Sequence, residues 1–431
     1  MSNVNIETNQ ELLNTKGGFR FGINLSSSTF KLFYYCVIVL FVYLADSIMS
    51  YTTPSYLEDN LSSTALMGIV FATSSLVGFI IDFLLGEVFE NKNYKFFLKW
   101  SIILAIGFPL GYLLFPAHII TLLIGLAIWG VYYEFISFSN SQYIIEKTER
   151  HNHENAWGIM YFFRAASLTF GPIIAAALID ISYNSSFIAA IGFLLIAGLL
   201  FLLDPERKKK TQRNIEKQIE VVSTVKEIKI WSVFSKRLWL LLLFCFGIVF
   251  IDAAFWSVGT LLSEDLHAQN GGIPGLLLVL YSLPMFFMGF FAKRIAIPFG
   301  KKRAAFITAL MGSIFLIMVG FTTDYTLISI FVFIFACFFA VAAPEIKGVF
   351  ADYDSRMNRS RNSLIGLESG MYSAGYVVGP IVCGFLTDRF GLRETFSIIG
   401  VGMVLIIILC LLFVPRKIKM PRSELELLDM N

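Results

Sequence analysis

Five charged side chains fall where an apolar environment should exclude them, and they define the chemistry open to this chain. Asp46, Glu134, Asp252 and Glu345 each lie within a long hydrophobic run, and Arg164 lies deep within another. An ionised carboxylate at the centre of a membrane helix costs at least ~2.5 kcal/mol, so such groups are paired, wetted or functional. A carboxylate in a poorly hydrated site exchanges its proton closer to neutral pH than one in water, which suits a proton carrier. Sodium is the alternative ion, since a carboxylate with unwound carbonyls also binds it. A lone buried guanidinium calls for a carboxylate, and Glu134 and Asp46 are the candidates for Arg164. A static ion pair and a proton-dependent switch would leave the same pattern. Tyr43, Asp46, Ser50 and Thr53 form one polar stripe at helical spacing, and Glu134, Ser137 and Ser141 form another. A wet cavity wall or polar contacts between packed helices would explain either stripe. Asp252 is followed by Ala253, Ala254, Phe255 and Trp256, less polar company than Asp46 keeps with Tyr43, Ser47 and Ser50. Asp252 is therefore expected to be the better proton carrier, and Asp46 the better partner of substrate or Arg164.

The elements that position these groups are membrane helices. The 431 residues are 56% hydrophobic and only 15% charged, with a mean hydropathy of +0.71. A soluble chain carries about a quarter charged residues. Crossing ~30 Å of hydrocarbon takes about 20 helical residues. The pattern predicts twelve spans, at 31–56, 64–86, 96–115, 119–145, 155–179, 184–203, 236–262, 273–293, 303–321, 325–350, 362–386 and 394–414. Ten-residue runs of alternating polarity, the mark of an outer-membrane barrel, are absent. Lys and Arg cluster on one side: Lys92, Lys95, Arg207 to Lys210, Lys301 to Arg303, Arg356, Arg359, Arg361 and a basic tail. Only Arg389 and Arg393 fall opposite, which places both termini in the cytoplasm. Residues 1–30 lack the features of a signal peptide and are expected to be a cytoplasmic tail, as are residues 415–431.

The chain is also doubled. Asp46, Glu58 and Asp59 recur as Asp252, Glu264 and Asp265 at an offset of 206. Gly158, Gly171, Pro172 and Asp180 recur as Gly366, Gly379, Pro380 and Asp388 at an offset of 208. Residues 31–203 and 236–414 are thus two six-helix bundles, joined by a charged loop at 204–235. In that loop Ile215, Ile219, Val222 and Val225 are spaced for either a surface amphipathic helix or a solvated linker. A doubled membrane chain points to a secondary transporter whose site lies between its halves. The five cysteines lie inside predicted spans without metal-ligand spacing, and His151 and His153 sit in a short polar loop beside Glu154. No metal, cofactor or ATP-binding loop is expected, no catalytic constellation is visible, and a net charge of +3 does not point to nucleic acid.

Twelve spans, a six-plus-six repeat and a basic central loop resemble the major facilitator superfamily. The resemblance implies a central cavity lined by spans 1, 4, 7 and 10, which carry Asp46, Glu134, Asp252 and Glu345. The family's drug antiporters carry Gly-x8-Gly-x3-Gly-Pro-x2-Gly-Gly on span 5. Here span 11 reads Gly366-x8-Gly375-x3-Gly379-Pro380-x2-Cys383-Gly384, and span 5 keeps the frame as Gly158, Ser167, Gly171, Pro172, Ala175 and Ala176. Small residues at this spacing let helices approach closely, and Pro172 and Pro380 permit bending. A second family pattern, Gly-x3-Asp followed by basic residues, is partly kept as Gly78-x3-Asp82 and, with charge reversed, as Gly289-x3-Lys293-Arg294. The resemblance implies a cytoplasmic gate there, Asp82 facing the start of span 11 near Arg359 and Arg361, and Lys293 or Arg294 facing Glu154. Glu368 is expected to be a favourable charge at the start of span 11.

The expected protein is an all-α, major-facilitator-like transporter of a prokaryotic inner membrane, a monomer embedded in the lipid bilayer. Proton-coupled export of a small organic molecule, lipophilic or cationic, is the favoured function. Proton-coupled import of a metabolite is the nearest alternative, and a non-transporting receptor or scaffold a more distant one.

Overall fold

Apolar runs become helices because backbone N–H and C=O groups in hydrocarbon have no partners except one another. The computed structural model of the chain describes residues 27–88, 92–149, 152–204, 224–354 and 361–415. Its first half forms α1 (Ser27–Leu61), α2 (Thr64–Val88), α3 (Tyr94–Leu114), α4 (Ile119–Lys147), α5 (His153–Ile179) and α6 (Tyr183–Leu203). The second half forms α7 (Thr224–Phe255), α8 (Val258–Asn270), α9 (Leu276–Ser282) and α10 (Pro284–Phe299). It continues with α11 (Lys301–Met318), α12 (Tyr325–Asp354), α13 (Arg361–Phe390) and α14 (Leu392–Phe413). Among the described residues, eleven helical stretches are long and apolar enough to cross a membrane, and Leu276–Met288 is a shorter apolar helix. With α9 and α10 taken as one crossing, interrupted where Pro284 begins α10, the fold has its twelve spans. α7 and α8 likewise share one span, broken at Trp256–Ser257.

The central connection is shorter than 204–235. α7 begins at Thr224, so residues 224–235 are helix. Ile230, Phe234 and Leu238, spaced by four, are all buried, and this packing extends the helix below the membrane-length run. Ile215, Ile219 and Val222 lie outside the described residues, as do 1–26 and 416–431. Local signals start other helices: the Asn93 side chain accepts from Phe96 N–H at 3.2 Å, and Ser182 Oγ accepts from Ser185 N–H at 3.2 Å. The outer faces of α6 and α14 expose Leu199, Leu202, Leu405 and Leu412, as lipid-facing helices should.

The repeated Gly-Pro pair does two jobs. A Cβ at Gly171 would lie 2.2 Å from Ser47 Oγ of α1, and one at Gly379 would lie 2.9 Å from Ala253 Cβ of α7. Each glycine thus seats its helix on the first helix of its own half. The adjoining proline carbonyls meet the other half: a Cβ at Gly68 of α2 would lie 2.1 Å from Pro380 O, and one at Gly275 would lie 2.4 Å from Pro172 O. Both helices run on through their prolines. Pro172 cannot donate to the carbonyl of Leu168. Ser282 of α9 lies 3.3 Å from that carbonyl across the seam, while sharing its hydroxyl with Leu278 O at 2.9 Å.

These contacts close the end of the bundle opposite the termini. There Asp388 caps the start of α2, accepting from Ser63 Oγ at 2.8 Å, Thr64 N–H at 2.9 Å and Ala65 N–H at 3.0 Å. At the end that carries the termini, most of the partners in the gate implied by the resemblance lie outside what is described. Asp82 and Arg294 are both exposed, and no ion pair joins either to the other half among the described residues. Halves that rock about a central site cannot close both ends together. Arg359 and the side chains of Arg361, Lys293 and Glu154 lie outside what is described, and Gly289 lies on α10.

Candidate functional site

Asp46 is buried at 7% exposure between α1 and α4. Its carboxylate accepts from Trp129 Nε1 at 2.9 Å and from Tyr133 OH at 3.1 Å. Tyr133 OH also lies 3.4 Å from Ser50 Oγ. One turn away, Tyr43 OH accepts from Asn140 Nδ2 at 2.8 Å. The α1 stripe therefore meets a matching stripe of α4, Trp129, Tyr133 and Asn140, which the sequence reading did not single out. Its only signal was polar-tipped side chains spaced by four and seven. The second expected stripe lies elsewhere on α4: Ser137 is exposed and Ser141 half-buried. Glu134 turns toward α2, where a Cβ at Gly78 would lie 3.3 Å from its Oε1. Asp82, one turn along α2, is its electrostatic neighbour. Gly78 thus leaves the space that Glu134 occupies. Trp129→Phe removes one of the two donors to Asp46, and an unsatisfied buried acceptor costs about 1–3 kcal/mol. A lower thermal midpoint in detergent is expected, and an unchanged one would contradict this account.

Arg164 departs from expectation. Its guanidinium sits over the Tyr43 ring, 5.4 Å from the centroid, and no carboxylate lies within ion-pair distance among the described residues. Tyr133, Tyr376 and Asp46 surround it at longer range. The side chain is exposed midway along α5, and its electrostatic neighbours Tyr376 and Lys347 belong to the other half, so it points into a cleft between the halves. The aromatic face of Tyr43 meets part of the charge that a carboxylate was expected to meet.

Asp252 faces the same cleft from the other half and is half-buried. It accepts hydrogen bonds from Tyr281 of α9 and Tyr376 of α13. Its surroundings are therefore not the apolar ones its sequence neighbours implied, because donors arrive from two other helices. Trp256 is half-buried in the turn after α7. Lys347 of α12 is exposed, lies 4.9 Å from the centroid of the Tyr372 ring, and has Glu368, Arg164 and Asp252 as electrostatic neighbours. Glu368 is about two turns inside α13 rather than at its start. Glu345, 7% exposed, turns instead toward Lys301 and Asp352 at the end carrying the termini. Of the five charged residues singled out, Arg164 and Asp252 face the cleft, Asp46 lines its wall, and Glu134 and Glu345 lie elsewhere. No cluster of metal ligands occurs among the described residues, and His153 contacts only Thr148 O, at 3.3 Å.

A profile of the Major Facilitator Superfamily matches residues 35–267 and 247–427. The chain is 22% identical over 387 residues to the quinolone resistance protein NorA of Staphylococcus aureus (strain COL), covering 86% of this chain and 93% of the relative. Its fold resembles that of the nucleoside transporter NupG (TM-score 0.72, 13% identity, 90% of this chain and 100% of that one). It also resembles the peptide transporter POT in complex with sulfate (TM-score 0.70, 12% identity, 90% and 94%). A third similar structure is a bacterial homologue of the human lysosomal transporter Spinster, in an inward-facing, unoccupied conformation (TM-score 0.64, 14% identity, 89% and 95%).

Proposed function

Because the chain belongs to the major facilitator superfamily, we propose that it is a proton-coupled secondary transporter that exports a small organic solute bearing an anionic group by alternating access. The observation that carries the substrate class is Arg164, a mid-membrane guanidinium that faces the cleft with no carboxylate in ion-pair distance among the described residues. Lys347 adds a second cation from the opposite half. The acidic residues alone favoured a cationic solute, but Glu134 and Glu345 lie away from the cleft. Tyr43, Tyr161, Tyr372 and Tyr376 supply aromatic faces and hydroxyls for the rest of the molecule. Export is supported by the relative named for quinolone resistance.

Proteoliposomes with an imposed pH gradient test this reading. A panel of anionic, neutral and cationic aromatic solutes should show proton-driven movement of the anionic members, and reversing the gradient reads the direction. Preference for cations would overturn the substrate class. Arg164→Ala should weaken binding of the anionic solute about 10- to 100-fold, the loss expected for a charge-assisted contact worth about 1.5–3 kcal/mol. In double-mutant cycles read by thermal stability, Arg164→Ala should be additive with Asp46→Asn and Glu134→Gln within about 0.5 kcal/mol. Strong coupling would restore the ion pair and argue against a substrate anion at Arg164.

The Lys and Arg distribution supports a cytoplasmic position for both termini and the central connection. Cysteines at Ser62, Asn184 and Gln269 should then react with an impermeant thiol reagent in intact cells, and one at Gln212 should not. Labelling of position 212 without lysis would invert the orientation.

A further inference from the structure

The closed end of the seam is built differently on its two sides. On one side Asp388 is fixed by a hydroxyl and two backbone N–H groups of α2, none of which titrates in the physiological range. Its repeat counterpart Asp180, at the end of α5, meets a histidine instead: His267 Nε2 of α8 lies 3.4 Å from Asp180 Oδ2. A cavity of about 580 Å³ adjoins this pair, lined by Tyr51, Asp180, Glu264, His267 and the chain around Gly271 and Gly275. Among the described residues, three atoms of this lining are buried without a hydrogen-bond partner in good geometry, Tyr51 OH, Glu264 Oε1 and His267 Nδ1, with the hydroxyls of Ser263 and Ser55 beside Tyr51 and Glu264. Tyr51 itself is fully buried at 0% exposure.

The charges around His267 are mostly acidic. Asp180 faces it from α5 and Glu264 lies one turn earlier on α8. Asp59 and Glu58 of α1 are electrostatic neighbours of Glu264. Tyr51 of α1 lines the cavity and Tyr325 of α12 lies against Gly272, while no Lys or Arg is among the lining residues. A bare imidazole nitrogen and a bare carboxylate oxygen on one wall are groups that a proton would satisfy.

We propose that this cavity is a proton-binding site separate from Asp46 and Asp252, in which a proton on His267 ties α8 to Asp180 of α5 and holds this end of the seam closed. On the orientation given above, this end is the outer one, and the proposal rests on that reading. The tie is present when the imidazole carries the proton and is lost when it does not. External acid therefore favours the state that is open to the cytoplasm.

The test uses the full-length protein with its native cysteines replaced and spin labels at Ile181 and Phe321, exposed positions on opposite halves at this end. Pulsed dipolar distance measurements at pH 5.5 and 8.0 read the fraction with the seam closed. The closed-to-open ratio should rise about 2- to 5-fold at acid pH, as expected for a partly screened ion pair. His267→Gln and Asp180→Asn should each abolish that ratio change, so either variant reads the effect if the other does not fold. Asp388→Asn should loosen the seam at both pH values while keeping the acid response. A persisting response in His267→Gln would overturn the proposal. So would sodium chloride restoring the acid level of closure at pH 8.0 in place of choline chloride, since the site would then take a metal cation. Transport measured on the same variants separates the two readings. A parent protein that shows no seam response while its proton-driven transport is intact sinks this site alone, whereas a parent with the response but no proton-driven transport sinks the proposed function.

Discussion

Gly68→Val is expected to reduce transport about 10- to 100-fold while leaving the protein folded. The added Cβ would lie 2.1 Å from the backbone oxygen of Pro380 and 2.8 Å from its carbonyl carbon. Backbone in a packed helix cannot turn aside as a side chain can, so α2 and α13 must separate or strain. Overpacking of this kind costs about 1–3 kcal/mol, and each 1.4 kcal/mol shifts a two-state equilibrium about tenfold. The strain exists only when this end is closed, so the variant should populate the state open at this end. Thiol labelling of a cysteine at Ala65 should therefore accelerate by a comparable factor. Gly158→Ala is the control, because a Cβ there meets nothing within 4 Å. It should transport normally and, from helix propensity, gain up to about 1 kcal/mol. Wild-type transport by Gly68→Val would show that the seam never closes as described.

The second large effect separates the two repeat-related carboxylates. Asp46 and Asp252 each accept two hydrogen bonds, Asp46 from Trp129 and Tyr133 and Asp252 from Tyr281 and Tyr376. What distinguishes them is access: Asp46 is 7% exposed behind α4, whereas Asp252 is half-buried at the cleft. Asp252 also joins α7, α9 and α13, so its charge state acts on three helices at once. A proton carrier must reach water and act on what it touches, and the exposure and hydrogen bonds of Asp252 support the proposal that it is the carrier. Asp252→Asn keeps the side-chain shape and removes the carboxylate. It should abolish movement driven by a pH gradient, by about 100-fold or more, while solute binding and solute–solute exchange persist. Asp46→Asn should act mainly on stability and on binding, through the position of Tyr43 beneath Arg164. Normal pH-driven transport by Asp252→Asn would leave Asp46 as the carboxylate adjoining the cleft to be tested as the carrier.

Asp252 remains the proposed carrier, but for a physical reason other than the one its sequence neighbours implied. Sequence neighbours implied apolar walls, whereas the folded chain brings Tyr281 from 29 residues away and Tyr376 from 124 residues away. Polar-tipped aromatic residues read as core in a sequence, because nothing in their own spacing says which hydroxyl will meet which carboxylate.

Other features were fixed by covalent order. Hydrocarbon tolerates only internally bonded backbone, so apolar run lengths alone determined the helices and their number, with α9 and α10 sharing one crossing. The repeat at offsets of 206 and 208 likewise set the symmetry of the halves. It even anticipated the seam, since Gly171 and Pro172 and their copies Gly379 and Pro380 make equivalent close approaches in both halves. Which face of each helix looks inward was decided only by tertiary packing. Successive residues of an α-helix turn by about 100°, so Tyr133 reaches Asp46 while its neighbour Glu134 faces α2. In the same way Lys347 enters the cleft while Glu345, two residues earlier, faces Lys301. Charge in an apolar run marked these residues as exceptional, but the direction of each side chain depends on neighbouring helices that are remote in sequence.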